Sequence, residues 1–450
     1  MCKITTIKSS IITDAVSYLC QKAACFLPEE VYEALQRFNC EEILLNAHLA
    51  YKTTRPICQD TGITVVFVDI GQDVHIDGDS LELAINKGVE KGYGQGYLRK
   101  SIVDDPVYAR KNTETNTPAI IHTRIVPGNT IKITVALKGA GSENMSAVKM
   151  LNPSDGIEGI IDFVVETVEN SASNSCPPVY VGVGVGGTME HAAILAKRAL
   201  LKPPLTELEL EKQIYEKVKD IAFGVSIETH ACHIAGLPVA INLNCHAARH
   251  AHMILTDSTI IPKKIEPDFD IPCNQDKVDY SLYKKINLPL KDEDIANLKA
   301  GDSILLSGEL YTARDAAHKK FIEEGVPFDI KGQTIYYTGP CPAKEREIIG
   351  PAGPTTSARV DSYTPQLLEL GLKGMVGKGV RNQEVLNSIK QNKAVYFTAT
   401  GGAACLLAQK IKSAEVVAYP ELGTEAVYKL EVQDFPVIVG IDSQGKNFNT

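Results

Sequence analysis

The chain has 450 residues, 44% hydrophobic and 22% charged, with a formal net charge of −9, a globular composition long enough for two or three domains. No run approaches the ~18 apolar residues that cross a bilayer, and no Lys/Arg-rich run is there to hold a phosphate backbone or an anionic membrane surface. Nucleic-acid and membrane partners are therefore not expected, and eleven cysteines scattered from Cys2 to Cys405, too sparse for a disulfide scaffold, predict reduced thiols.

The first thirty residues contain no Arg, and Asp14, Gln21 and Lys22 break their apolar stretch. That fits neither a secretory nor a transit segment, and a cytoplasmic location is expected. Pro28, Glu29 and Glu30 open a predicted helix with Val31, Leu35 and Phe38 on one face. Next comes Arg55-Pro56-Ile57-Cys58-Gln59-Asp60-Thr61-Gly62, a cysteine on a turn beside a carboxamide, a carboxylate and a guanidinium, the crowded polar loop that suits a reactive site. Ser175-Cys176-Pro177-Pro178 then leads into an apolar strand and a glycine turn, and Thr206 to Glu209 reads as a capping box for a helix reaching about Ile221. His230-Ala231-Cys232-His233 runs through another strand to Asn244-Cys245-His246-Ala247-Ala248-Arg249.

From about residue 261 to 287 the sequence turns to Pro, Asp, Lys and Asn with no sustained period, which divides the chain into a domain at 1–265, a linker at 266–287 and a domain at 288–450. In the second domain Ser303–Ser307 reads as a buried strand, Arg314–Glu324 as a helix stopped by Gly325, and Val395–Thr398 and Val437–Asp442 as strands, giving an α/β or α+β unit. It also carries the loop Gly350-Pro351-Ala352-Gly353-Pro354-Thr355-Thr356-Ser357-Ala358-Arg359.

Gly182-x-Gly184-x-x-Gly187 satisfies a dinucleotide-binding pattern literally, but the acidic strand end expected about 20 residues later is replaced by Pro203-Pro204. These glycines are expected instead to let the backbone pass close to another element. Most of the cysteines should be small buried apolar residues. Distant cysteines can still converge on an iron–sulfur cluster, although spacing alone does not show it; three thiolates on a four-iron cube leave one iron open as a Lewis acid, an arrangement suited to adding or eliminating water.

The segments CQDTG, CPPVYVGVGVGGTMEHA, HIAGLPVAINLNCHAAR, GPCPAKEREIIGPAGPTTSARVDSY, MVGKG and YFTATGGAACLLA resemble class I fumarate hydratases and the related tartrate dehydratases, with the α and β portions fused in one chain. The resemblance covers nearly the whole chain and is weaker before Thr53 and across the linker. It implies an α+β protein of two mixed α/β domains, an N-terminal cluster-binding domain and a smaller C-terminal swivel-like β/α domain, with the active site between them. It implies a [4Fe–4S] cluster held by Cys58, Cys176 and Cys245, with Cys232 the rival for Cys245. It also implies reversible hydration of fumarate to (S)-malate by a homodimer; tartrate dehydration or mesaconate hydration by the same chemistry is the alternative.

For a dicarboxylate substrate, the resemblance assigns binding to Arg99, Arg314, Arg359 and Lys378, with Gln59, Gly141 and His233 as further contacts; arginine forks suit planar carboxylates. Arg314 has an independent argument, because a cation where a helix begins opposes the macrodipole and calls for a nearby anion. The resemblance makes Thr355 the base at carbon and Asp60 its acid or relay partner, a role a threonine fills only with help from neighbouring groups. Thr355 also reads as a helix N-cap, and His233 as a satisfied core histidine. A non-catalytic iron–sulfur carrier or sensor is the reading from another class, but carriers keep their thiolates close in sequence.

Overall fold

The computed structural model describes residues 4–38, 40–204, 207–271 and 278–448. The chain forms two compact units, one of residues 1–40 and 50–272 and the other of residues 41–49 and 273–450. The break near 272 lies within the expected linker, of which residues 272–277 fall outside the described residues and Lys284–Asn287 forms a strand.

In the first unit one four-stranded sheet runs in the order His250–Leu255, Ile131–Lys138, Ile63–Gly71, Ile120–Val126. The helices Ser9–Cys25 and Leu81–Gln95 pack together, and their apolar faces form one core with Val66, Val68, Ile131, Ile133 and Val135 of the sheet. The expected early helix spans Glu29–Phe38 and buries Val31 and Leu35.

A second four-stranded sheet runs in the order Ala147–Leu151, Leu237–Cys245, Val179–Gly186, Ala222–His230. Helices Gly156–Ser175 and Glu209–Val218 cover its aliphatic face, while Ala192 and Ala196 of helix Met189–Ala199 pack with Ala240. The glycines of the dinucleotide-like pattern explain this close approach. A Cβ on Gly182 would lie 2.3 Å from the Ala196 carbonyl oxygen, and one on Gly184 2.0 Å from that of Ala192, so any side chain would push the helix off the strand. Thr206 of the expected capping box lies outside the described residues; the Glu211 carboxylate accepts the Glu207 and Leu208 N–H groups at 3.1 and 3.0 Å.

The second unit holds a seven-stranded sheet in the order Lys284–Asn287, Ser303–Thr312, Thr334–Tyr336, Gly374–Gly377, Val395–Thr398, Val427–Ile441, Ile411–Ala418. Ser303–Thr312 also pairs antiparallel with Val427–Ile441, so five of these strands close on themselves and only the appended strands keep an open edge. The expected helix spans Asp315–Glu324 and stops at Gly325, whose φ of 91° a glycine takes without strain. The segment Glu41–Leu49, distant in sequence, belongs to this unit. Its Asn46 is fully buried, donates to the Gly402 carbonyl at 2.9 Å and accepts the Cys405 and Leu406 N–H groups at 2.8 and 3.1 Å, satisfying donors at the start of helix Ala404–Ala408.

Candidate active site

The loop carrying Cys58, Gln59 and Asp60 is fixed by Gly62, whose φ is +71° and whose Cβ, were there one, would lie 2.2 Å from the Lys138 carbonyl oxygen. Only glycine lets the loop lie against Lys138 and Gly139. That contact brings Asp60 to the turn containing Gly141: its carboxylate accepts the Ala140 N–H at 3.0 Å and its own Gly62 N–H at 3.2 Å. Arg99, which is buried, pairs with Asp60 at 3.0 Å, and the Thr61 hydroxyl donates to the Arg99 carbonyl at 2.7 Å. Gln59 is buried and its side-chain oxygen faces the Cys58 thiol at 3.4 Å.

Cys58 itself is 6% exposed. Burial pushes its thiol pKa up, the Arg249 guanidinium pulls it back, and Cys245 and Asp60 push it further up, so all four groups share one electrostatic neighbourhood. Cys245 ends its strand opposite Val179 of the glycine strand. Cys176 lies three positions before Val179 and caps helix Gly156–Ser175 with φ 62°. A left-handed cap is ordinarily glycine's place, and a cysteine there accepts strain to present its side chain. The sheet register thus puts Cys176 and Cys245 at the same end.

His233 is elsewhere. It follows the strand end His230, which pairs with Gly186 at the opposite end of the glycine strand, and eight residues of strand separate the two ends by ~25 Å. His233 and Cys232 are exposed on the loop that crosses to Leu237, so the fold of this unit does not bring His233 to the three cysteines.

Sequence reasoning assigned no role to Arg249, Lys138 or Glu143, and all three stand at this end of the unit. Lys138 is buried, donates to the Ser142 hydroxyl at 3.0 Å and to the Leu243 carbonyl, and burial pulls its pKa down to about 7 while Glu143 pushes it back up. Burial favours the neutral form of Glu143, yet Lys138, Lys197 and the Asn242 amide, the last at 2.8 Å, hold its pKa below the ordinary value. The available signal was the strand ending in a lysine just before the Gly-Ala-Gly turn.

In the second unit Arg314 occupies the N-cap position of helix Asp315–Glu324 and is buried. Two of the chain's own carboxylates answer its charge, Glu425 at 3.4 Å and Asp315 at 3.9 Å. Asp315 also takes the Arg359 fork, with Nε at 3.1 Å and Nη2 at 2.6 Å, so Arg314 and Arg359 meet around one carboxylate. The Thr355 hydroxyl donates to the Tyr337 carbonyl at 3.1 Å, and the Lys378 N–H donates to the Thr355 carbonyl at 3.2 Å. The N-cap of the short turn Ser357–Val360 is Thr356, one position after the residue expected to fill it.

The cysteines at the three positions are reduced thiols. Among the described residues no three His, Cys, Asp or Glu side chains are gathered tightly enough to hold a metal ion, but a cube that meets one thiolate at each of three corners needs its sulfurs farther apart than a single ion does. The donor set fits such a cluster: two thiols sense each other at one end of the unit, a third caps a helix there, and a buried cation faces them.

The chain is similar to known proteins along its length. A family model described as Fumarate hydratase (Fumerase) matches residues 13–254, and one described as Fumarase C-terminus matches residues 259–450. "Fumarate hydratase class I, aerobic" of Escherichia coli K12 is 30% identical over 95% of this chain and 85% of its own length. "Putative fumarate hydratase class I" of Geobacillus stearothermophilus is 28% identical over 90% of this chain and 87% of its own. "Putative L(+)-tartrate dehydratase subunit alpha" of Methanocaldococcus jannaschii is 38% identical over 53% of this chain and 96% of its own. With both family models matched in order and a buried thiol, carboxylate and arginine site in the first unit, the chain belongs to the fumarate hydratase family.

Proposed function

We propose that this protein is a hydro-lyase that reversibly hydrates fumarate to (S)-malate. The observation that carries the reading is the convergence of Cys58, Cys245, Asp60 and Arg99 at one end of the first unit, in a chain that family models for fumarate hydratase match from residue 13 to 254 and from 259 to 450.

In this reading Cys58, Cys176 and Cys245 hold a [4Fe–4S] cluster. When bound, it supplies a Lewis acid at an iron that carries no protein thiolate. Arg99 is held in orientation by Asp60 and presents its guanidinium to a substrate carboxylate, with Gln59 and the Gly141 turn as polar contacts. From the second unit Arg314, Arg359 and Lys378 supply positive charge for the other carboxylate and for the negative charge that builds up when a proton leaves C3. Asp60 and Thr355 handle that proton. The threonine hydroxyl needs a cation and a proton acceptor to act as a base, and Lys378, whose backbone N–H donates to the Thr355 carbonyl, is a cation of the same segment pair.

His233 stands apart from the cysteines of its own chain. That separation supports a homodimer in which the His233 loop of a second copy serves the site. No described helix is long and apolar enough to cross a membrane, in keeping with a cytoplasmic enzyme.

Dehydration of tartrate is the second reading, favoured by the 38% identity, over 53% of this chain, to a putative tartrate dehydratase α subunit. One hydroxyl changes specificity by only ~10–200-fold, so the test is direct. Anaerobically reconstituted protein is assayed with fumarate, tartrate and mesaconate; fumarate is expected to give the highest kcat/KM, and a much faster reaction with tartrate or mesaconate would replace the first reading.

A further inference from the structure

Arg249 is 3% exposed, yet its Nε and Nη1 atoms have no hydrogen-bond partner. Its Nη2 lies against Gly139, 3.6 Å from where that residue's Cβ would be, with the Asp60 carboxylate 3.4 Å from the same point. The groups acting on its charge are Cys58, Cys245, Asp60 and Tyr93. A buried guanidinium with unused donors is costly, by several kcal/mol, unless a partner of opposite charge arrives. Two of the thiols that would hold the cluster, together with Asp60, are the anionic candidates acting on it. The strand His250–Leu255 begins directly after it and pairs with Ile131–Lys138, so a regular sheet fixes its backbone.

We infer that Arg249 is a positioning residue for the cluster: it gives its free N–H groups to the sulfur shell and its charge to the thiolate-bound core, while its Nη2 edge keeps Asp60 in place. The inference rests on the cluster reading above. Hydrogen bonds and positive charge at the sulfurs stabilise the more negative, reduced state of such a core. Removing them lowers the reduction potential, whatever happens to turnover.

Arg249 also borders a cavity of about 20 Å³ together with Lys138, Lys197, Asn242 and His250, room for one water. If its free donors serve only a water there, the potential does not depend on them.

The experiment compares wild-type, Arg249→Lys and Arg249→Met proteins, purified and reconstituted without oxygen. Apo-protein melting is followed by circular dichroism, and the cluster by visible absorbance and EPR during a redox titration. Arg249→Met is expected to hold a cluster whose reduced-to-oxidised ratio at a fixed potential falls roughly tenfold, ~59 mV for one electron, with Arg249→Lys in between. Loss of the cluster from Arg249→Met alone, with apo-protein melting unchanged, supports the same role. A wild-type potential in Arg249→Met overturns the inference, as does equal failure of both variants to fold, which would make the residue a structural one. Absence of a cubane from the wild type is a different outcome and strikes the cluster reading itself.

Discussion

In each unit a candidate substrate-binding arginine pairs with an aspartate, Arg99 with Asp60 and Arg359 with Asp315, and these two pairs are built differently. Asp60–Arg99 is interior: the arginine side chain is 5% exposed, and the carboxylate is tied to two backbone N–H groups besides. Asp315–Arg359 is open, with side chains 37% and 43% exposed. An interior pair fixes an orientation and cannot lose a member without leaving the other buried and uncompensated. An open pair contributes only ~0–1 kcal/mol, so in the proposed reading Arg359 exchanges Asp315 for a substrate carboxylate at little cost. The first pair suits chemistry that needs a set geometry; the second suits capture and release.

The largest expected effect lies with the thiols of the interior site. Cys58→Ser should lose the brown colour and the activity together, measured anaerobically, whereas Cys232→Ser, on the exposed loop, should keep both; bleaching by Cys232→Ser and not by Cys245→Ser would reverse the ligand assignment. Next comes the interior pair. Asp60→Asn should lower kcat by ~10²–10⁴ with the cluster retained, while an unchanged kcat would remove Asp60 from the chemistry.

The open pair is backed by His318, which is fully buried and uses Nδ1 to donate to the Arg314 carbonyl at 2.8 Å. Burial holds its pKa down at about 4, against 6.5 in the unfolded chain. The folded state therefore refuses a proton that the unfolded state takes. Stability from this group is complete above pH 6.5 and falls as pH drops toward 4, by ~3 kcal/mol. Denaturant melts across that window should show the loss, and His318→Asn should flatten it. Smallest is Arg359→Lys, expected to raise KM roughly tenfold with kcat little changed, since an ammonium cannot reproduce the fork; a fall in kcat at constant KM would give Arg359 a role beyond capture.

Much of this was legible in the sequence because the signals were local. The helix Glu29–Phe38, the helix ending at Gly325 and the strand Val395–Thr398 each carry their own periodicity and stop signal. Gly182 and Gly184 were legible as points of close approach, although not which helix would approach. What the sequence concealed depends on long-range pairing. Nothing near Asn46 says that it will meet Gly402 and Cys405, and no spacing rule places Arg249 beside Cys58, almost two hundred positions away. His233 was expected at the substrate because its segment resembles the family's, whereas the strand register sets it at the far end of the sheet from Cys245. Arg314 was expected to have an anion nearby, but its sequence did not say which, and the chain supplies Glu425 and Asp315.

The central claim is that thiols from three separated segments hold an iron–sulfur cube with one corner left for substrate. Iron and sulfide analysis of oxygen-free protein, with EPR or Mössbauer spectra taken before and after malate is added, tests it directly. About four irons and four sulfides per chain, with malate altering the signal of a single iron, is the predicted result. Protein without a cubane, or a cubane whose spectrum ignores malate, would contradict it.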